Sequence, residues 1–373
     1  MNSIALSRGG SLVSRRLFET LRLLAEGLRV HRLHYAVACL ALVFAIAASA
    51  YVGKPFELRM VVLFSFPILL ICAVFGFFML AGEFIRLIRS RHEGSPTLAL
   101  LVFARDELLA PSRIANILHA TLFMSVFMTG FVSLKTMLPD INPFSWDPTF
   151  TEWDRALHFG IDPWRILQPL LGWPLVTSAF NVAYNCWFFV MFGTWVWQGF
   201  GKSSSPLGRR YLLAFLLTWL LGTGISGIVF ASVGPCFYGR LIAGPDPFAP
   251  LMAYLAQTAT VAPLWVLDTQ NMLWDSYVRG EGVIAGISAM PSMHVGSCVL
   301  MTLLGFSTGK RWLGWAFALF GLVIFLGSVH LAWHYAIDGY AGGAIALFGW
   351  WLAGRLLRSS KEKTGALPRT AAA

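Results

Sequence analysis

The chain has 373 residues, of which 57% are hydrophobic and 12% are charged, and its mean hydropathy is +0.67. This composition excludes an ordinary water-soluble domain and indicates an integral membrane protein. The formal net charge of +10 does not indicate nucleic-acid binding, because the basic residues form short clusters between apolar runs instead of one continuous face. The five cysteines lack the paired spacing of a zinc site or a disulfide framework. We therefore expect an all-α, polytopic membrane protein with neither a metal nor another cofactor.

The first segment, residues 1–33, carries scattered arginines among leucine and phenylalanine residues. It lacks a compact apolar core followed by a small-residue cleavage site, so it is predicted to be a basic amphipathic helix on the cytoplasmic membrane surface and not a signal peptide. The membrane domain is expected at residues 34–357, and residues 358–373 form a basic cytoplasmic tail.

Apolar runs of about 20 residues are long enough to span a bilayer as helices. Eight such runs occur in the chain, and each is predicted to be a membrane-spanning helix: residues 34–52, 60–81, 114–137, 174–199, 211–233, 291–307, 313–331 and 334–356.

Lysine and arginine residues set the predicted orientation, because they collect on the cytoplasmic side of membrane proteins. Eight crossings place all the basic clusters and both termini on one side. The opposite side receives two longer, acid-rich connections, 139–173 and 234–290. The compact loops favour a bacterial cytoplasmic (inner) membrane, so these connections are expected to face the periplasm. The basic clusters between and after the spans lie at residues 86–113, 202–210, 310–311 and 355–363.

Two histidines and one carboxylate lie in strongly apolar surroundings within residues 286–338. Ionisable groups inside a membrane are rare unless they pair or perform chemistry. The first histidine, His294, ends the run Ser-Ala-Met-Pro-Ser-Met-His. Pro291 suits the first turn of a helix, so the backbone N–H groups of Ser292, Met293 and His294 are predicted to form a phosphate site. His294 is then placed to protonate a leaving oxygen.

The second histidine begins the run His-Tyr-Ala-Ile-Asp, which puts His334 and Asp338 four residues apart on one helix face. The carboxylate can fix the imidazole tautomer and stabilise the cation that forms when the other ring nitrogen attacks phosphorus. The predicted topology also returns Tyr238 and both histidines to the same outer face. Together the two histidines and the acid supply a nucleophile and a general acid without a metal.

Pro-Ser-Met-His and His-Tyr-Ala-Ile-Asp resemble the second and third signature motifs of the type 2 phosphatidic acid phosphatase (PAP2) superfamily. The form Ser-Ala-Met-Pro-Ser-Met-His and the Gly234-Pro235 element are similar to the inositol phosphorylceramide synthase-like branch. The resemblance implies a PAP2-like helical catalytic core at about residues 139–345. It also implies a phosphohistidine mechanism, with His334 as nucleophile, Asp338 orienting it, and His294 as the acid.

The sequence departs from the superfamily pattern at its cationic residues. The superfamily usually has a Lys followed seven residues later by Arg-Pro, but no Lys or Arg precedes Pro235 within the fifth span, and Ser328 takes the place of an Arg before the second histidine. We therefore expect other residues to bind the phosphate, with Arg240 and Arg279 as the outer-face cations and Lys135 as a weaker candidate. The predicted phosphate- and substrate-binding residues are Ser292, Tyr238, Arg240 and Ser328.

These features predict a membrane-embedded lipid phosphatase or phosphotransferase. Its expected partners are a lipid phosphate or phospholipid substrate, a lipid or polyol acceptor, and the membrane lipids, without nucleic acid. One alternative is a non-enzymatic lipid or solute carrier, although its polar residues would be spread across the membrane midplane. Another is a metal-dependent intramembrane hydrolase that uses His330 with His294, His334 and Asp338. The span lengths place a helix break near Ala332, which separates His330 from His334.

Overall fold

The computed structural model describes residues 2–56, 58–91, 93–201, 204–280 and 286–365, and every regular element in these ranges is helical. Proline opens five of the longer helices, where its fixed φ suits the first turn and its missing N–H costs no hydrogen bond. The longer helices are α1 (Asn2–Val30), α2 (Arg32–Val52), α3 (Met60–Arg89), α4 (Pro96–Phe103), α5 (Pro111–Ile141), α6 (Asp147–Leu157), α7 (Pro163–Leu171), α8 (Pro174–Gly199), α9 (Pro206–Val229), α10 (Ala249–Ala259), α11 (Trp265–Arg279), α12 (Met293–Ser307), α13 (Arg311–His330) and α14 (Ala336–Gly365).

Shorter elements interrupt or connect these helices. A π-helical turn at Ala104–Leu108 precedes α5, and another at Leu220–Ser226 lies within α9. A 3-10 turn at Pro235–Phe237 leads into the short helix Tyr238–Leu241.

Six of the helices are long and apolar enough to cross a membrane, namely α2, α3, α5, α8, α9 and α13. They coincide with six of the eight predicted spans. The other two predicted spans are also helical, but α12 has only 15 residues, and α14, with 30 residues, is not among the six. The prediction of an all-α, multi-pass membrane protein is thus confirmed. Within the described residues, six of the eight predicted spans are helices of sufficient length and apolarity to cross a membrane.

The chain forms two compact units. The first comprises Met1–Cys39, Glu57–Thr129 and Phe192–Leu212. Its core includes the buried histidines His31, His34 and His119; the rings of His31 and His34 pack near Phe123, and the ring of His119 packs near that of His31. In the N-terminal helix, apolar side chains such as Phe18 are exposed, and the attachment of this helix to the membrane surface stays a prediction.

The second unit comprises Leu40–Phe56, Gly130–Met191 and Leu213–Ala373, and it contains both histidines of the signature motifs. Close packing of α12 against α14 depends on glycine. A Cβ atom on Gly342 would collide with the carbonyl oxygen of Ser292, and one on Gly339 would lie 2.6 Å from the Phe325 ring. Gly342 lets α14 pass directly over the start of α12, which brings the two motifs together, and Gly339 lets α14 pack against Phe325 of α13.

The connection between α13 and α14 is short and sharply bent. α13 ends at His330, α14 begins at Ala336, and Ala332 between them has a φ of +59°. The break that the span lengths predict near Ala332 is therefore present, and it places His334 in the connection instead of in a helix.

Candidate active site

His334 is buried in this connection, and its surroundings fix its tautomer. Its backbone N–H donates to the carbonyl oxygen of Ser328 at 3.1 Å. Its Nδ1 lies 2.9 Å from the carbonyl oxygen of Ala289 and 3.2 Å from Oδ2 of Asp338. A carbonyl oxygen can only accept a hydrogen bond, so Nδ1 carries the proton. Nε2 of the neutral ring therefore keeps its lone pair and is available as a nucleophile.

Asp338 is fully buried and holds the connection to α14. Its Oδ2 accepts from Nδ1 of His334 and also from the backbone N–H of Tyr335 at 3.0 Å. Its own carbonyl oxygen accepts from the backbone N–H of Ser292 at 2.9 Å. The carboxylate thus orients the imidazole, while the backbone of the same residue ties α14 to the start of α12.

His294 lies in the first turn of α12, and its Nδ1 is 3.4 Å from Nε2 of His334. The two histidines and the acid that the sequence singles out are therefore brought together. On its other sides the His294 ring packs against two rings of α8. The ring centre of Tyr184 is 4.5 Å away in a stacked arrangement, and that of Trp187 is 4.1 Å away.

The predicted anion site at the start of α12 is wrong in two details. Pro291 is not in the first helical turn, because the helix begins at Met293 with Ser292 as its N-cap. The backbone N–H of Ser292 is used by Asp338, and its side chain accepts from the N–H of Val295 at 3.5 Å. Ser292 therefore closes the helix end, which leaves the N–H groups of Met293 and His294 at the helix start.

The other predicted phosphate-binding side chains make their contacts elsewhere. The hydroxyl of Ser328 donates to the carbonyl oxygen of Phe325 within α13. Tyr238 is buried and packs near Phe248, with its pKa raised by that burial. Arg240 donates to Oδ1 of Asn271 at 3.1 Å and lies over the Trp274 ring, and Arg279 pairs with Asp275 on its own helix. The structure does not bring these side chains into contact with the histidine pair.

His330 ends α13 and forms its hydrogen bond to α8, away from the histidine pair. Its Nε2 lies 2.9 Å from the hydroxyl of Thr177 on α8. It is thus separate from His294 and His334, with which a metal-dependent alternative would group it.

Lys135 on α5 is the cation that lies near enough to His294 to act on it electrostatically. The backbone of Gly286 packs directly against Lys135. Asn142-Pro143 follows Lys135 by seven residues, which is the spacing of the superfamily's Lys and Arg-Pro with Asn in place of Arg. The sequence-based prediction looked for this element in the fifth span, before Pro235, although the seven-residue spacing alone identifies it at residues 135–143. Asn142 itself donates to the carbonyl oxygen of Ile228 at 2.7 Å, so it holds the end of α9.

Asp147 on α6 supports one side of the site. Its carboxylate accepts from the backbone N–H groups of Val233 at 3.0 Å and Gly234 at 2.9 Å, and from the hydroxyl of Tyr335 at 2.8 Å. Burial raises the pKa of Asp147 above its usual value. This residue joins the segment before Pro235 to the residue that follows His334.

Asp154, two turns further along α6, supports the other side. Its two oxygens accept from the backbone N–H groups of Ala336 and Ile337, each at 2.8 Å, and so cap the first turn of α14. Burial raises the pKa of Asp154 to about 6. The spacing of Asp147 and Asp154 indicates that they share one helix face, but no sequence pattern predicts their hydrogen-bond donors.

A family model of the PAP2 superfamily matches residues 148–352, which is more than half of the chain. The chain belongs to the PAP2 superfamily. The match includes both histidines and Asp338, and it confirms the resemblance at the level of the superfamily, whose members are generally phosphatases that act on lipid phosphates. No curated protein and no solved structure matches the chain. The narrower inositol phosphorylceramide synthase-like branch stays a prediction.

Proposed function

We propose that this PAP2 protein cleaves a lipid phosphoester through a covalent phosphohistidine on His334. The observation that carries the proposal is the pair of contacts at Nδ1 of His334, which leaves Nε2 unprotonated and facing His294. The superfamily supports the reaction class, and the geometry supports the assignment of roles.

The first step forms the phosphoenzyme. The lone pair of His334 Nε2 attacks phosphorus, a nitrogen–phosphorus bond forms, and the bond from phosphorus to the leaving alcohol breaks. His294 gives a proton to the departing oxygen, and Asp338 stabilises the positive charge that develops on the His334 ring. In the second step an acceptor hydroxyl loses its proton to His294 and attacks phosphorus, and the nitrogen–phosphorus bond breaks. Both histidines return to their starting states.

The space between the two histidines changes during this reaction. In-line displacement places the leaving oxygen opposite the attacking nitrogen. The gap of 3.4 Å between Nε2 of His334 and Nδ1 of His294 is too short to hold phosphorus and that oxygen in line. Substrate binding must therefore shift the His294 ring away from His334.

The acceptor is either water or an alcohol, and burial favours the alcohol. His334 is 7% exposed and Asp338 is fully buried, so water has poor access to the phosphoenzyme. This observation supports phosphotransfer to a lipid or polyol hydroxyl, with hydrolysis as the slower outcome. The clustering of the basic loops supports an extracytoplasmic site in a bacterial inner membrane.

The test is to trap the phosphoenzyme. Purified protein in lipid micelles is mixed with a lipid carrying labelled phosphate, and we expect an acid-labile, alkali-stable label that His334→Ala lacks. His294→Asn should take the label slowly from an ordinary lipid alcohol ester, but at nearly the normal rate from an ester with a good leaving group, which needs no proton. Adding an alcohol acceptor should divert the label from inorganic phosphate to a phospho-alcohol. Normal turnover by His334→Ala, without label in the parent protein, would refute the proposal and favour a carrier.

A further inference from the structure

Two hydrogen-bond donors beside His294 have no acceptor. The side chains of Tyr184 and Trp187 are 7% and 5% exposed, and neither the phenol oxygen of Tyr184 nor the indole Nε1 of Trp187 has a hydrogen-bond partner in the described part of the chain. A buried donor without a partner is costly, so each one calls for an explanation such as a catalytic role or a bound ligand. Since an indole N–H can only donate, the missing partner of Trp187 is an acceptor.

The position of these donors indicates which acceptor they meet. The rings of Tyr184 and Trp187 lie against His294, and the Tyr184 ring also stacks on Trp333 with ring centres 6.2 Å apart. Trp333 directly precedes His334. The two rings therefore border the His294 side of the space that a phosphate must enter to lie between the two histidines.

The charges around this space are also unusual for a phosphate site. The positions where the superfamily pattern has arginine hold Asn142 and Ser328, whose side chains bond to the backbone of their own surroundings. The carboxylates of Asp147 and Asp154 both act electrostatically on Asp338. Next to the histidine pair lie the buried carboxylate of Asp338, 3.2 Å from Nδ1 of His334, and the cation Lys135, which acts electrostatically on His294.

We infer that Tyr184 and Trp187 donate their O–H and N–H groups to the oxygens of the substrate phosphate, and that these uncharged donors select a singly charged phosphodiester over a doubly charged phosphomonoester. The inference rests on the proposed function and names the substrate class of the same site. A phosphomonoester carries a charge of about −1.5 to −2 at pH 7, and transfer of a second negative charge into a buried site that already holds the Asp338 carboxylate is unfavourable. A diester has the oxygen acceptors that the two donors need with only one charge to compensate.

The experiment compares Tyr184→Phe and Trp187→Phe with the parent protein. Both substitutions keep an aromatic ring against His294; Tyr184→Phe removes only the hydroxyl donor, whereas Trp187→Phe removes the N–H donor together with part of the buried ring system. The substrates are a diacylglycerol phosphodiester with a small alcohol headgroup and the phosphomonoester with the same acyl chains, presented in the same mixed micelles. Trp197→Phe is the matched control, because Trp197 lies on the same helix and is 38% exposed.

We expect the parent protein to have the higher kcat/KM for the diester. Each variant should lose about 10-fold to 100-fold in that value, as expected for removal of one hydrogen bond to a charged group. The thermal unfolding temperature of Tyr184→Phe and the kinetics of the control should stay unchanged. Orthovanadate, a small phosphate mimic without an acyl chain, should inhibit both variants less by a similar factor, which a merely structural role for the rings would not produce.

Three results would overturn the inference. One is a parent protein that prefers the monoester, and another is equal diester kinetics in the variants, the control and the parent protein. In both cases, labelling at His334 would leave the proposed function intact. If the parent protein takes no phosphate label from either lipid, the proposed function itself is wrong, and this inference falls with it.

Discussion

Replacing Asp338 by Asn tests the electrostatic part of the reaction while preserving the shape of the site. An asparagine oxygen can still accept from Nδ1 of His334 and from the N–H of Tyr335, as Oδ2 does now. What disappears is the negative charge 3.2 Å from the imidazole. At an effective dielectric constant of about 20, a charge at that distance stabilises the imidazolium by about 5 kcal/mol. This energy corresponds to a loss of about 10³-fold to 10⁴-fold in the rate of phosphohistidine formation.

The assay for this variant is rapid-quench measurement of the labelled phosphoenzyme under single-turnover conditions. Asp140→Asn is the matched control, because Asp140 is a partly exposed carboxylate of the same unit that pairs with Lys54. The control should label at the parental rate. If folded Asp338→Asn forms the phosphoenzyme within 10-fold of the parent rate, the argument that Asp338 stabilises a charged His334 is wrong.

Four further predictions follow from contacts at the edge of the site. Lys135→Met should weaken phosphate binding and reduce kcat/KM about 10-fold to 100-fold, measured by lipid turnover and orthovanadate inhibition; an effect below 3-fold would exclude Lys135 as a phosphate ligand. Arg240→Ala should change kcat/KM less than 3-fold, because its side chain contacts Asn271 and Trp274; a large loss would return Arg240 to the site. Gly342→Ala should destabilise the protein by about 1–3 kcal/mol, since its Cβ meets backbone, and an unchanged unfolding temperature would contradict the close packing. Burial raises the pKa of Asp154 from 3.8 to about 6, so between these two pH values the folded protein binds more protons than the unfolded chain. The contribution of Asp154 to the free energy of unfolding therefore decreases as the pH rises across this range. Asp154→Asn should flatten the dependence of the unfolding temperature between pH 4.5 and pH 7, and an unaltered dependence would assign it to other groups.

The parts of the fold that depend on local sequence could be predicted. Run length and hydropathy locate the helices, because a span must be apolar over its whole length. The helix break near Ala332 follows from the same rule. The spacing of four residues predicts the pairing of His334 with Asp338, although His334 lies just before α14 and not on a helix face shared with Asp338. The distribution of charge between the loops predicts that His294 lies on the same side of the membrane.

The parts of the site that depend on contacts between distant segments could not be predicted. The carboxylate of Asp147 accepts hydrogen bonds from the N–H groups of Val233 and Gly234, which lie 86 and 87 residues further along the sequence. No periodicity in the sequence predicts such a pairing. The sequence predicts that the backbone N–H of Ser292 is free to bind an anion. Because α14 passes close to Ser292 at Gly342, this N–H instead donates to the carbonyl oxygen of Asp338. Tyr184 and Trp187 look like ordinary apolar-face residues of a spanning helix until α12 is packed against them.

In the proposed mechanism, Nε2 of His334 carries the phosphoryl group between the two chemical steps. The most direct test is to quench turnover of a labelled lipid phosphoester under alkaline conditions, digest the protein, and locate the label by mass spectrometry. We expect a phosphoryl group on His334 and none on His294, and phosphorus NMR of the labelled peptide should assign it to Nε2. A label on His294, or turnover of the lipid without any phosphorylated residue, would contradict this mechanism.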